Sequence, residues 1–323
     1  MRKLTGLLAF CALVLFAVQA QAVKLGIYEA GVLVPSVYHN GSTIDTVVGI
    51  TCQFQDTKCD DHNASKEGTV YWTFFDVDSN HVTDGTFTCT DDDLYGFSWK
   101  ANSGRGLNDT DGYLVFVAQP TKDSRGEVNG TAFNISANAF LVDQSKKDAI
   151  FIPVIPLRIC DFDLNNFDPR AMNAKTLRYL HYGIQGNTTV DMRYWIDPTY
   201  NAATTIVVWL VDPQITTKGK AIPQTVLVYN DEEQSKSVNI ELPHELNKII
   251  PCNIVGMPAD YVDGFIQWTF PASTDGFAYS YISSSLFGAQ QTLLAAECGA
   301  KDACQQAVNR SQPSCGCTGA GGR

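Results

Sequence analysis

The sequence predicts an all-β protein of two packed antiparallel β-sandwich (Ig-like) domains, followed by a short C-terminal helix and a cysteine-containing tail. Three observations carry this. From Val32 to Leu157, short segments rich in valine, isoleucine, threonine and aromatics follow one another: VLVPSVYH, TIDTVVGITC, TVYWTFF, HVTDGTFTC, LYGFSW, GYLVFVA, ISANAFLV and AIFIPVIPL. Each is bounded by Asn, Asp, Gly or Ser, the residues that turn strands. The same vocabulary resumes at Thr189 with VDMRYWI, TTIVVWLV, TVLVYN, KSVNIEL, FIQWTF and FAYSYI. A chain of 323 residues also exceeds what one hydrophobic core ordinarily serves.

Residues 1–22 read as a signal peptide. Arg2 and Lys3 precede an apolar run from Leu7 to Val18, and Ala20-Gln21-Ala22 is a small-x-small cleavage site, so Val23 is the expected mature start. Cys11 stands in a weak lipobox, where Phe10 is too large for the place before the cysteine. The mature chain carries no apolar run of the roughly 20 residues a membrane span needs, so it is expected to be secreted, at the cell surface or in the periplasm. The formal net charge of the full sequence, −11, repels phosphate backbones and argues against nucleic acid as a partner.

Residues 23–157 form the first expected sandwich, with the hairpin Thr69–Trp99 at its centre. Within it, GYLVFVA is apolar at nearly every position, as a strand covered on both faces is. Tyr71, Trp72, Phe74 and Phe75 occupy both faces of one strand, and Tyr194-Trp195 does so later. Either the other domain covers the outer face, or exposed rings there stack sugars. Residues 158–188 lose the alternation and read as a packed connection with a short helix over 171–181. Residues 189–285 form the second sandwich. Here Thr225-Val226 and Val238 repeat the spacing of Thr69-Val70 and Val82, and Asp263-Gly-Phe-Ile-Gln-Trp268 matches Asp111-Gly-Tyr-Leu-Val-Phe116, the signs of an internal duplication. Residues 286–308 are rich in Ala, Leu and Gln and predict a helix, and 309–323 a tail.

Export makes disulfides the expected state of Cys52, Cys59, Cys89, Cys160, Cys252, Cys298, Cys304, Cys315 and Cys317, and because nine is odd at least one of them is free, intermolecular or a ligand. Cys52 has two candidate partners, Cys59 across a polar loop and Cys89 in the neighbouring hairpin. Cys160 with Cys252 is the candidate staple between halves, and the last four cysteines tie the tail, either as two disulfides or as a zinc site of uncommon spacing. Asn-x-Ser/Thr triplets begin at Asn40, Asn63, Asn108, Asn129, Asn134, Asn187 and Asn309. They are glycan acceptors in a eukaryotic secretory chain and turn vocabulary in a bacterial one.

Asp76, Asp78, Asn80 and Asp84 place oxygens at alternate positions, as a calcium loop does. However, His81 stands where an EF-hand needs glycine, and Phe87 where it needs glutamate. Asp161, Asp163, Asn165 and Asp168 invite the same reading. Calcium is thus a candidate cofactor. No nucleophile elbow occurs, and His244-Glu245 lacks the second histidine of a zincin, since position 248 is Lys. No catalytic residue is assigned.

Ile44–Val47, Phe74–Asp76 and Gly112–Val115 resemble uncharacterised secreted bacterial proteins with a β-sandwich domain, over residues 32–157, with the insertion around Cys52–Asn63 departing from them. The resemblance implies a fold and no activity. The leading expectation is an exported, non-enzymatic protein with a structural or adhesive role, whose partners are proteins, surface glycans or further copies of itself. A glycan-binding module using exposed aromatics and a hydrolase with a carboxylate pair stand beside it.

Overall fold

A computed structural model describes residues 27–54, 66–91, 93–170, 172, 176–178, 180–211, 223–272, 274–284, 290–292 and 295–297. The expected signal peptide, Cys11, Cys59, Asn63, Cys298, Cys304, Asn309, Cys315 and Cys317 lie outside these residues.

The protein is mostly antiparallel strand. In chain order the first half contributes β1 (Gly31–Val37), β2 (Ile44–Gln53), β3 (Glu67–Asp76), β4 (His81–Thr90), β5 (Leu94–Ser98), the single turn α1 (Trp99–Asn102) and β6 (Gly112–Ala118). It continues with β7 (Pro120–Lys122), β8 (Val128–Thr131), β9 (Asn134–Asp143), β10 (Asp148–Ile152) and β11 (Ile155–Leu157). The second half adds β12 (Thr189–Trp195), β13 (Ala203–Val211), β14 (Gln224–Asn230), β15 (Ser235–Ile240) and β16 (Leu246–Ile249). It closes with β17 (Asp263–Thr269), β18 (Asp275–Ser283), β19 (Gln290–Thr292) and β20 (Ala295–Glu297).

These strands build sheets in the orders β11-β1-β6-β3-β4 and β10-β9-β2-β5 in the first half, and β20-β12-β17-β14-β15 and β19-β18-β13-β16 in the second, with β7-β8 a separate hairpin. The two sets of orders are the same list, each strand of the second half standing for one of the first. Local bonding repeats too. The Thr46 hydroxyl accepts from the Tyr38 amide at 2.9 Å, and Thr204 does the same for Trp195 at 2.7 Å. Asp76 and Asn230 each close a tight turn by accepting amides two and four residues on, with Ser79 and Glu233 at positive φ.

This register corrects the spacing-based alignment. Asn230 stands at Asp76, so Val226 matches Trp72 rather than Val70. The Asp-Gly pairs do correspond, Gly112 pairing with Asp76 and Gly264 with Asn230. A side chain there has no room, because a Cβ on Gly112 would sit 2.2 Å from the Phe75 carbonyl oxygen, and one on Gly264 1.9 Å from that of Tyr229.

Layering follows from which faces are apolar. Along β13, Ile206, Val208 and Leu210 enter the core of the second half, whereas Val207 and Trp209 join the core of the first. The sheet β19-β18-β13-β16 therefore has its own sandwich on one face and the first half on the other. β1 and β6 are correspondingly buried at every residue. Tyr113 meets Trp209 edge-on at 5.5 Å, and Phe75 stacks on Tyr113. Each large side chain buried there contributes about 1.5–3 kcal/mol relative to exposure, which holds the halves together.

Three expectations need correction. The strand order is not that of the immunoglobulin fold, where the first strand shares a sheet with the second and fifth. Here β1 lies between β6 and β11, because only a central position in a doubly covered sheet buries both its faces. The helix over 171–181 does not form at the described residues 176–178, where Leu177 bridges to Phe162 and the Asp163 amide donates to the Thr176 carbonyl. Met172, Leu180, Phe162 and Phe167 are all buried, so the connection is packed, as its apolar residues require. Likewise 290–292 and 295–297, within the expected C-terminal helix, are strands that cover the open edges of β18 and β12.

Candidate functional site

The calcium candidates are split between two tasks. Asp76 Oδ1 accepts the Asp78 and Asn80 amides at 2.9 Å, and both its oxygens receive the Asn80 side-chain amide. Asp84 pairs with His81 at 3.1 Å. Asp78 leaves the turn and sits against His244 Nδ1 of the second half. The residues flanking Asp78 continue the same contact. The Leu246 amide donates to the Val77 carbonyl at 3.2 Å, and the Tyr113 hydroxyl donates to Ser79 at 2.6 Å and lies 3.4 Å from Glu245 Oε2. Burial pushes the Glu245 carboxyl up to about 8 and the Tyr113 hydroxyl well above its usual range. The turn between β3 and β4 is thus the latch between halves.

In the second set, Asp161 is fully buried and accepts the Arg158 amide at 2.8 Å, while Asp163 pairs with Arg178 at 2.7 Å. Burial pushes Asp161 up to about 7. Asp168 accepts the Arg170 amide at 2.9 Å instead of joining them. Among the described residues, no group of three His, Cys, Asp or Glu is arranged to hold a metal.

Of the cysteines, Cys52 bonds to Cys89, its second candidate partner, joining β2 of one sheet to β4 of the other. Both are buried in the first core. Cys252 is an exposed free thiol, so the Cys160–Cys252 staple is absent. In the second half Leu210 and Leu242 stand at the positions of Cys52 and Cys89, and both are fully buried. Apolar contact replaces the bridge there.

Two surfaces have the geometry to hold a ligand. The first is the solvent face of β14, β17 and β12. Val226, Val228, Ile266, Met192 and Tyr194 point into the core, so their alternates point out. Tyr229 and Phe265 stack face to face at 4.5 Å, and Trp195 lies 5.7 Å from the exposed Tyr200. Polar groups separate the rings. Arg193 pairs with Asp263 at 2.5 Å, and the Gln267 side-chain amide donates to Asp191 at 3.1 Å. Tyr194 itself is buried with its hydroxyl on the Tyr229 carbonyl, so only half of the Tyr194-Trp195 pair reaches the surface.

The second surface is a cleft of about 290 Å³ where β18 and β16 close over the edge of the first half, between β1 and β10. It is lined by Tyr38, Asp111, Asp143, Lys146, Asp148, Lys248 and Tyr281 over an aliphatic floor. The Tyr38 hydroxyl donates to Asp109 at 2.6 Å, and that bond, with burial and the carboxylate charges, pushes it up to about 12. Sequence reasoning assigned none of these cleft residues to a site. Only the repeated Asp-Gly pair containing Asp111 was visible there, as a structural motif. Comparison with protein-family profiles, with curated proteins and with solved structures finds no match to this chain.

Proposed function

We propose that the chain is an exported, non-enzymatic protein of two tandem sandwich domains, with an adhesive or structural role at the cell surface or in the periplasm. The observation that carries this reading is the outward face of β14, β17 and β12, which carries two aromatic pairs among charged groups, the stacked Tyr229 and Phe265 and the tilted Trp195 and Tyr200. Large, partly exposed aromatic rings on the outward face of a sheet are contact surface for a partner, since each combines apolar area with few rotatable bonds. The buried Cys52–Cys89 bond fits an oxidising, exported setting, in line with the signal-like residues 1–22 and with the resemblance over residues 32–157. The test is retention of the purified mature protein on intact cells and on protein-coated surfaces, compared with a Trp195→Ala, Phe265→Ala variant. Retention lost in the variant supports the reading, and no retention of either protein overturns it.

The same surface also favours a second reading, glycan binding, because the apolar C–H faces of sugar rings stack on such aromatics while Arg193, Asp263 and Gln267 supply hydrogen bonds. A glycan array distinguishes this from protein adhesion. Calcium at Asp76, Asp78, Asn80 and Asp84 requires His244 to release Asp78, and a rise in melting temperature on adding calcium tests it.

A further inference from the structure

The cleft between the halves is a separate site from the aromatic sheet face. Its floor is aliphatic, made by Ile44, Leu141, Ile150 and Ile152, with Tyr38 and Tyr281 as walls. A volume of about 290 Å³ lies at the lower edge of ordinary ligand pockets, which suits a small molecule with an apolar body.

Its charges decide the rest. Of the two ammonium groups in the lining, Lys248 is ion-paired and Lys146 is hydrogen-bonded to a neutral hydroxyl. Lys248 pairs with Asp111 and stands 5.6 Å from the centre of the Tyr38 ring, and Lys146 donates to Ser283 at 3.1 Å. The carboxylates are not used up in the same way. Asp143 spends Oδ1 on Ser145 and the Lys146 amide, and Asp148 spends Oδ1 on the Ala149 amide at 2.8 Å. Among the described residues neither Oδ2 receives a hydrogen bond. The Ser145 bonds hold Asp143 below the usual carboxylate range, so it is charged at neutral pH. Three carboxylates against two ammonium groups leave the lining with one formal negative charge, in a chain of formal net charge −11. An anion entering the cleft meets that charge. A neutral molecule can hydrogen-bond the open carboxylate oxygens but does not offset their charge. A cation satisfies the open oxygens and keeps its apolar part on the floor.

We infer that this cleft binds a small organic ammonium ion, with its apolar body on Ile44, Leu141, Ile150 and Ile152 and its ammonium group held by Asp143 and Asp148.

Isothermal titration of the mature protein with benzylammonium, benzyl alcohol and benzoate at neutral pH tests this. The three share a ring and differ in charge. Benzylammonium is expected to bind at least tenfold more tightly than benzyl alcohol, and benzoate more weakly than either. Asp148→Asn and Asp143→Asn each remove one charge at a half-buried position and are expected to keep the melting temperature. Each should weaken benzylammonium about fivefold or more and leave benzyl alcohol unchanged. Ile150→Trp fills the floor and should abolish both. No heat with benzylammonium, equal affinity for the alcohol, or undiminished binding in both Asn variants overturns the assignment. Loss of adhesion in the Trp195→Ala, Phe265→Ala variant leaves this titration unchanged, so the two sites fail independently.

Discussion

Replacing Cys52 and Cys89 together by alanine removes the bridge between the two sheets of the first half. The bond closes 37 residues of chain. The chain-entropy relation for a loop of that length gives about 4 kcal/mol of stabilisation through the unfolded state. The two side chains are buried, so the alanine pair also loses a little packing, and the total should not fall below that figure by much. In urea, with a slope of about 3 kcal/mol/M for a domain of this size, the midpoint of the first half should drop by more than 1 M. The second half holds the same topology with Leu210 and Leu242 in those places, so the bridge stabilises the arrangement without defining it. Far-ultraviolet circular dichroism of the variant should therefore stay native at low urea. The reasoning is refuted if the midpoint is unchanged, or if both thiols of the unreduced folded protein react with a maleimide.

Three further outcomes follow from the same contacts. Glu245 has its folded value raised to about 8 from an ordinary 4.5, so the folded chain holds a proton that the unfolded chain releases. That contribution is full below pH 4.5 and is lost as pH rises through 8, on the order of 2 kcal/mol after allowing for partial solvent access. Urea melts should show wild type losing stability from pH 5 to pH 8 and Glu245→Gln losing less. A Gln variant with an unaltered slope would show that Glu245 is not the titrating group at the latch. Gly112→Ala and Gly264→Ala place a Cβ against a strand carbonyl and should each cost about 3 kcal/mol, seen as a lower melting temperature, with soluble native-like melts counting against the assigned register. Asp78→Ala removes the partner of His244 and should weaken the junction by about 1 kcal/mol or less, because both groups are substantially exposed, and limited proteolysis between the halves would report it.

How far the sequence showed these features depends on whether neighbours along the chain or neighbours in space produce them. Strand identity is local. The β-branched vocabulary of GYLVFVA marked β6 as covered on both faces, and β6 is buried at each residue. The duplication was visible as Asp-Gly at 111–112 and 263–264, yet spacing alone set the hairpins out of register by two. The β3–β4 pairing slips between Phe74 and Phe75, whereas β14–β15 runs without a slip, so equal counts along the chain do not mark equal places in the sheet. The stretch 286–308 misled for the opposite reason. Its helix-forming composition is a weak local preference, overridden at 290–292 and 295–297 by the unpaired edges of β18 and β12. The cleft was out of reach altogether. Tyr38 just after β1, Asp143 on β9, Lys248 on β16 and Tyr281 on β18 are more than 200 residues apart at the extremes, and meet only because the sheet of β13 and β18 turns its second face to the first half. What marked that face in advance was Trp209 and Val207 alternating with Ile206, Val208 and Leu210, a strand with no polar side. A strand apolar on both faces promises a second covering surface but does not say which one, and the charged rim of the cleft belongs to that unspecified partner.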